Sequence, residues 1–216
     1  MLSGSTSSRR ATVKNIKAIA IVVVMCSISS VPVFAQATSS AKPPQPTETP
    51  TIASVLNRQL NSIERNIMGA AEAMPEDKYD FSPATANIPG DFKTPEPVRT
   101  VSQQFKHIGD ALELYGSAIL GQKAAGTPGE NGPSNVKTKQ EVIAFLKAEF
   151  AKAHAAIDTI TQQNLLEQIA APFGNAKTTR LALAVGMVGH SNNHYGQIIE
   201  YLRMNGMVPP ESQPRK

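Results

Sequence analysis

The chain has 216 residues, with 21 Lys and Arg against 17 Asp and Glu, giving a net charge of +4. Residues 1–35 contain four basic residues and no acidic one, so the remainder of the chain is electrically balanced. A basic patch for nucleic acid is therefore not supported, because the surplus sits in a segment with a different purpose.

That segment has the layout of a secretory signal peptide. Arg9, Arg10, Lys14 and Lys17 form a positive start, "AIAIVVVM" (residues 18–25) is the apolar core, and Val33 and Ala35 are small residues at a cleavage site. The apolar core falls short of the roughly 20 residues a spanning helix needs. The expectation is an exported protein, periplasmic or extracellular, starting at Gln36 after cleavage and without stable membrane insertion. The single cysteine, Cys26, would leave with the signal. The mature chain then has neither disulfides nor thiolate ligands, and any metal must be held by histidine and oxygen. Residues 36–48, "QATSSAKPPQPTE", have the composition of a disordered linker. One domain is expected over residues 49–212.

The first helix is expected from Thr49–Pro50 to about Met74, with Ile52, Val55, Leu56, Leu60, Ile63, Ile67 and Met74 at helical spacing. A proline-rich irregular connection follows over 75–99, anchored by Tyr79 and Phe81. Thr100 opens the second helix with "TVSQ", a capping box, and Val101, Phe105, Ile108, Leu112, Tyr115 and Ile119 form its apolar stripe. Residues 121–135 are a long Gly/Pro-rich loop. Thr138 opens the third helix with a second capping box, "TKQE", and Val142, Phe145, Leu146, Phe150, Ala153, Ile157 and Ile160 follow at helical spacing. The fourth helix is expected over about 176–205, ended by Asn205–Gly206 and then Pro209–Pro210. No segment shows the period-two alternation of a strand. An all-α four-helix bundle is the economical architecture, and its long loops permit a crossover.

The fourth helix carries His190 and His194 one turn apart. At about 100° per residue, Leu181, Val188, Tyr195, Ile199 and Leu202 share one side, while Leu183, Met187, His190, His194, Gln197 and Tyr201 share another. Two imidazoles at i and i+4 point the same way and can bind one metal ion. A hydrogen-bonded structural pair is the alternative. A third ligand could come from His107 on the second helix or His154 on the third, and helical projection does not choose between them. Asn193, Gln197 and Tyr201 lie near enough to the pair to orient it. No Asp or Glu falls on the histidine stripe, so no general base can be named.

Three stretches, in this order, resemble the DinB-like family of metal-dependent helical-bundle proteins: "MPEDKYDFSP", "RTVSQQFKHIGDALELYG" and "HSNNHYGQIIEYLRMNGMVPP". The resemblance covers most of residues 52–210. It implies four helices in up-down-down-up order, often as a homodimer, with a histidine of the second helix and the H-x-x-x-H pair of the fourth converging on a divalent metal. Carried over, the ligands would be His107, His190 and His194, leaving His154 at the edge of helix three. Three neutral imidazoles leave an open position on the ion. Zinc fits this donor set best, and nickel or iron are also compatible.

Three functions follow as expectations. One is a metal-dependent hydrolase or transferase acting on a small-molecule substrate; thiol-dependent chemistry known among relatives sits poorly with export, because such thiols are chiefly cytosolic. The second is a non-catalytic bundle stabilised by its metal. The third is a homodimerising module with its histidines merely buried.

Overall fold

The computed structural model describes residues 49–214, apart from 87, 89, 91–96 and 125–128. The expected signal peptide and linker lie outside the described residues. Four helices make up most of the domain: α1 (Ile52–Ala73), α2 (Val101–Ile119), α3 (Lys139–Asp158) and α4 (Arg180–Met204). Among the described residues no helix is long and apolar enough to cross a membrane.

Each helix starts where a side chain can satisfy its free N–H groups. Both expected capping boxes are present: Thr100 pairs reciprocally with Gln103, and Thr138 with Glu141. The start of α1 differs from expectation. Its cap is Thr51, not Thr49, because Ser54 stands three residues beyond Thr51 and closes a third box. The end of α4 follows the sequence reading. Gly206 has φ +74, and the N–H groups of Met207 and Gly206 return to the carbonyls of Leu202 and Arg203 at 3.0 and 2.9 Å, the Schellman arrangement that glycine permits.

One element was not expected. Residues Gln168–Ala170 (β1) and Lys177–Thr179 (β2) form a small antiparallel hairpin, pairing Ile169 with Thr178. Three-residue strands are too short to show alternation, so the segment assigned to the start of helix four is β2 instead. Thr179 ends that strand and caps α4 by accepting from the Ala182 N–H at 3.1 Å. Arg180 fastens the hairpin base, donating to the Ile119 carbonyl at 3.1 Å and pairing with Glu167.

Helices α1 and α2 each pack against both α3 and α4. The apolar stripes meet in one core, where Leu60, Ile67, Phe105, Ile108, Leu112, Leu146, Phe150 and Ile198 are essentially inaccessible. The connection after α1 is tied down as the two aromatic anchors suggested. Tyr79 is buried and donates to the Ala71 carbonyl at 2.8 Å. The carbonyls of Phe81 and Tyr79 accept from the Val101 and Ser102 N–H groups, 3.0 and 2.9 Å, at the start of α2.

Residues 129–136 of the connection after α2 lie back along that helix. Lys106 Nζ donates to the carbonyls of Pro133 and Val136, both at 3.1 Å. Gly132 makes the close approach possible: its φ is +72, and a Cβ there would stand 2.2 Å from the Cβ of Lys106. This return path brings Gly129 and Glu130 beside the α2 histidine.

Candidate metal centre

Between α2 and α4, three histidines converge. The rings of His107 and His190 have centroids 5.1 Å apart, those of His107 and His194 4.6 Å, and those of His190 and His194 4.5 Å. One nitrogen from each ring lies within 4.8 Å of the other two. His194 is buried at 6% exposure, while His107 and His190 are half-buried. The structure thus brings His107 to the pair and leaves His154 elsewhere. His154 joins α3 to α1, with Nδ1 2.6 Å from Asn57 Oδ1 and Nε2 3.0 Å from Glu64 Oε2.

The hydrogen bonding at the cluster is uneven in an informative way. His107 Nδ1 and His190 Nε2 are buried without a partner. Such atoms usually cost about 1–3 kcal/mol each, so a buried structural pair would be expected to satisfy them. His194 is oriented by a chain of polar groups. The Arg99 carbonyl can only accept, so Tyr201 donates its O–H there at 3.0 Å. Gln104 Nε2 donates to Gln197 Oε1 at 2.7 Å and makes a longer 3.5 Å contact with Tyr201 Oη. Gln104 Oε1 is thereby turned to His194 Nδ1, 2.9 Å away. An amide oxygen accepts, so Nδ1 carries the proton and the Nε2 lone pair is free.

Two of the orienting residues expected from sequence, Gln197 and Tyr201, belong to this chain. Asn193 does not; its side chain is exposed. Gln104 was missed, although it precedes His107 by three residues on the same helix. It is 2% exposed, and burial of an amide is a tertiary property that a single helix pattern does not reveal.

Burial also sets the protonation of the cluster. It lowers the pKa values of His107 and His190, and it brings His194 down to about 4, with the two neighbouring histidines and Arg99 adding to the effect. All three rings are therefore neutral near pH 7, which is the form that ligates a metal.

A cavity of about 280 Å³ opens beside His107 and His190. Asp110, Leu114, Tyr115, Glu130 and Phe173 complete its walls. Sequence reasoning found no carboxylate near the site because it considered the α4 stripe alone. Asp110 lies one turn beyond His107 on α2, and Glu130 arrives on the returning loop. Asp110 Oδ2 accepts from the Gly129 N–H at 3.0 Å, and burial raises its carboxyl above the usual range while that bond pulls it down. Glu130 is paired with Arg99. A larger hollow of about 510 Å³ between the end of α2 and the hairpin contains none of the histidines, so the chemistry points to the smaller one.

The model of the DinB superfamily matches residues 59–198, which include all three histidines. The chain belongs to the DinB superfamily. Similar solved structures agree on the fold of this superfamily member. A DinB-like protein from Bacillus subtilis is 23% identical, with a TM-score of 0.55, covering 74% of this chain and 99% of its own. A DinB-like protein from Bacillus cereus is 14% identical, with a TM-score of 0.56, covering 74% and 96%. A conserved protein from Enterococcus faecalis is 17% identical, with a TM-score of 0.55, covering 72% and 98%. No curated protein matches the chain.

Proposed function

We propose that this DinB-superfamily chain is an exported metal-dependent enzyme, a hydrolase or group transferase acting on a small molecule, with one divalent transition metal held by His107, His190 and His194. The observation that carries the metal is the pair of buried, unpartnered nitrogens on His107 and His190 beside a His194 whose tautomer leaves Nε2 free. Three neutral nitrogen donors suit zinc first, with nickel or iron as alternatives. When bound, such an ion polarises a substrate oxygen or lowers the pKa of a water molecule. The residues of the chain supply the rest: Gln104 orients His194, Asp110 offers a proton acceptor in the cavity, and Tyr115 and Phe173 give it aromatic walls.

Elemental analysis of the purified protein, made without a polyhistidine tag, tests the metal. About one equivalent of a transition metal is expected, and the His107→Ala, His190→Ala and His194→Ala proteins should each lose most of it. A metal-free parent after incubation with zinc, nickel and iron salts would sink the reading.

A non-catalytic role is the second reading, favoured by the way the ligands come from two helices, so that an ion would fasten α2 to α4. A chelator-sensitive melting curve with no turnover on a broad panel of ester, amide and transfer substrates would select it. Export rests on the pattern of residues 1–35. Homodimerisation is supported by an exposed strip of α4 where Val185 is 57% accessible and Gly189 and Gly196 have nothing packed over them. Sedimentation of the purified protein should give a dimer at micromolar concentration; a monomer there removes that part of the proposal.

A further inference from the structure

Phe173 is out of place by ordinary packing rules. It sits in the loop between β1 and β2 and is 63% exposed, a large apolar ring left in water where burial would be worth having. Gly174, next to it, has φ +64, so the chain turns sharply there at a residue that tolerates it. The turn is closed by the Ala171 N–H donating to the Ala176 carbonyl at 3.0 Å, and Arg180 anchors the hairpin base to α2. The ring is therefore presented by a fastened loop rather than trailing from a free one.

Its position lends the exposure a purpose. Phe173 forms part of the cavity wall beside His190. Its ring meets that of Tyr115 edge-on, with centroids 6.4 Å apart. Tyr115 is in turn held from behind: Gly186 of α4 lets its ring come within 3.5 Å of where a Cβ would stand, and its centroid is 6.1 Å from that of His190. One aromatic wall is thus fixed by the bundle and the other stands open to solvent. The polar end of the same cavity holds Asp110. Among the described residues no basic side chain forms an ion pair with it, whereas Glu130 is already neutralised by Arg99.

We infer that this cavity is the substrate compartment of the three-histidine site, and that it selects a small molecule with a flat apolar ring laid on the exposed face of Phe173, beside Tyr115, and a hydrogen-bond donor directed to Asp110. The inference rests on the metal reading above and adds the substrate class. The ring covers the exposed face of Phe173, which is the gain the free protein lacks. The donor adds to the hydrogen bond that the Asp110 carboxylate accepts from the Gly129 N–H. Phe173 acts as a specificity-determining residue, and the hairpin exists in the site as its mount.

Two hydroxamic acids test this on the zinc-loaded protein. Both carry the same metal-binding, donor-bearing head; 4-fluorobenzohydroxamic acid adds an aromatic ring and acetohydroxamic acid only a methyl group. Dissociation constants come from calorimetry, checked by fluorine NMR line width, with zinc content measured before and after. The ring should tighten binding at least about tenfold in the parent protein, a gain of the size expected for burying an aromatic group. In Phe173→Ala that preference should shrink to about threefold or less, with acetohydroxamic acid affinity and zinc content unchanged. Asp110→Asn should weaken both compounds about tenfold while zinc stays bound. Because Phe173 is exposed, its replacement leaves the core intact. A ring preference equal in parent and Phe173→Ala overturns the inference while the metal reading stands. A parent that binds none of zinc, nickel or iron overturns both.

Discussion

Chelating the ion proposed for His107, His190 and His194 should lower the melting temperature by about 10 °C. An ion present at a thousand times its dissociation constant stabilises the folded state by about 4 kcal/mol, and a domain of this size shifts by roughly 2–4 °C per kcal/mol. The geometry explains why the effect should be large here. His107 belongs to α2 and His190 and His194 to α4, so removing the ion unfastens two helices and leaves buried nitrogens unpaired. The His190→Ala protein should melt at nearly the same temperature with and without chelator. Differential scanning calorimetry on both proteins checks this. A parent melting curve that ignores the chelator would show that the cluster is not a metal tie.

Phe105→Ala should destabilise the protein by about 3–5 kcal/mol, the range for deleting a buried aromatic ring. Phe105 is completely inaccessible, lies 6.0 Å ring to ring from Tyr79, and stands next to Gln104 on α2. Its ring holds the inner face of the helix that carries His107. In chemical denaturation the midpoint should fall while the slope stays the same, since the surface exposed on unfolding hardly changes. The melting temperature should drop by about 10 °C or more. Below that temperature the folded protein should still hold metal, because the substitution removes packing and no ligand. A loss under about 1 kcal/mol would contradict the packing described here.

The two expected losses separate what the metal contributes from what the core contributes, and they bear on different parts of the sequence. Core positions were readable because burial on a helix leaves a periodic trace. Leu60, Ile67, Phe105, Ile108, Leu146 and Phe150 were all placed on apolar stripes by spacing, and all are inaccessible. The starts of α2 and α3 were equally legible, since a capping box is a local contract between residues three apart. Tyr79 and Phe81 also took the anchoring roles their isolation in a polar connection suggested.

Failures occurred where the deciding interaction was short or distant. Thr49–Pro50 carried a plausible start signal, but Thr51 had the better partner in Ser54. The hairpin escaped notice because three residues per strand cannot display a period. It is the hairpin that delivers Phe173 to the cavity, so missing it also concealed the wall beside Tyr115. Asp110 and Glu130 were overlooked for a related reason. A carboxylate on another helix or a returning loop enters the site only once the chain has packed.

By itself the sequence determined the four helices, their inward faces and the alignment of His190 with His194, because each depends on residues within a few positions of one another. Its resemblance to a family supplied His107 as the third member, and helical projection could not. Tertiary structure alone decided that His107 rather than His154 meets the pair, that Gln104 fixes the tautomer of His194, and that Asp110 and Phe173 face the same cavity. Those outcomes follow from how helices and loops distant in the chain pack together. Periodicity gives the direction of a side chain around its own helix axis and carries no information about which neighbour will be there.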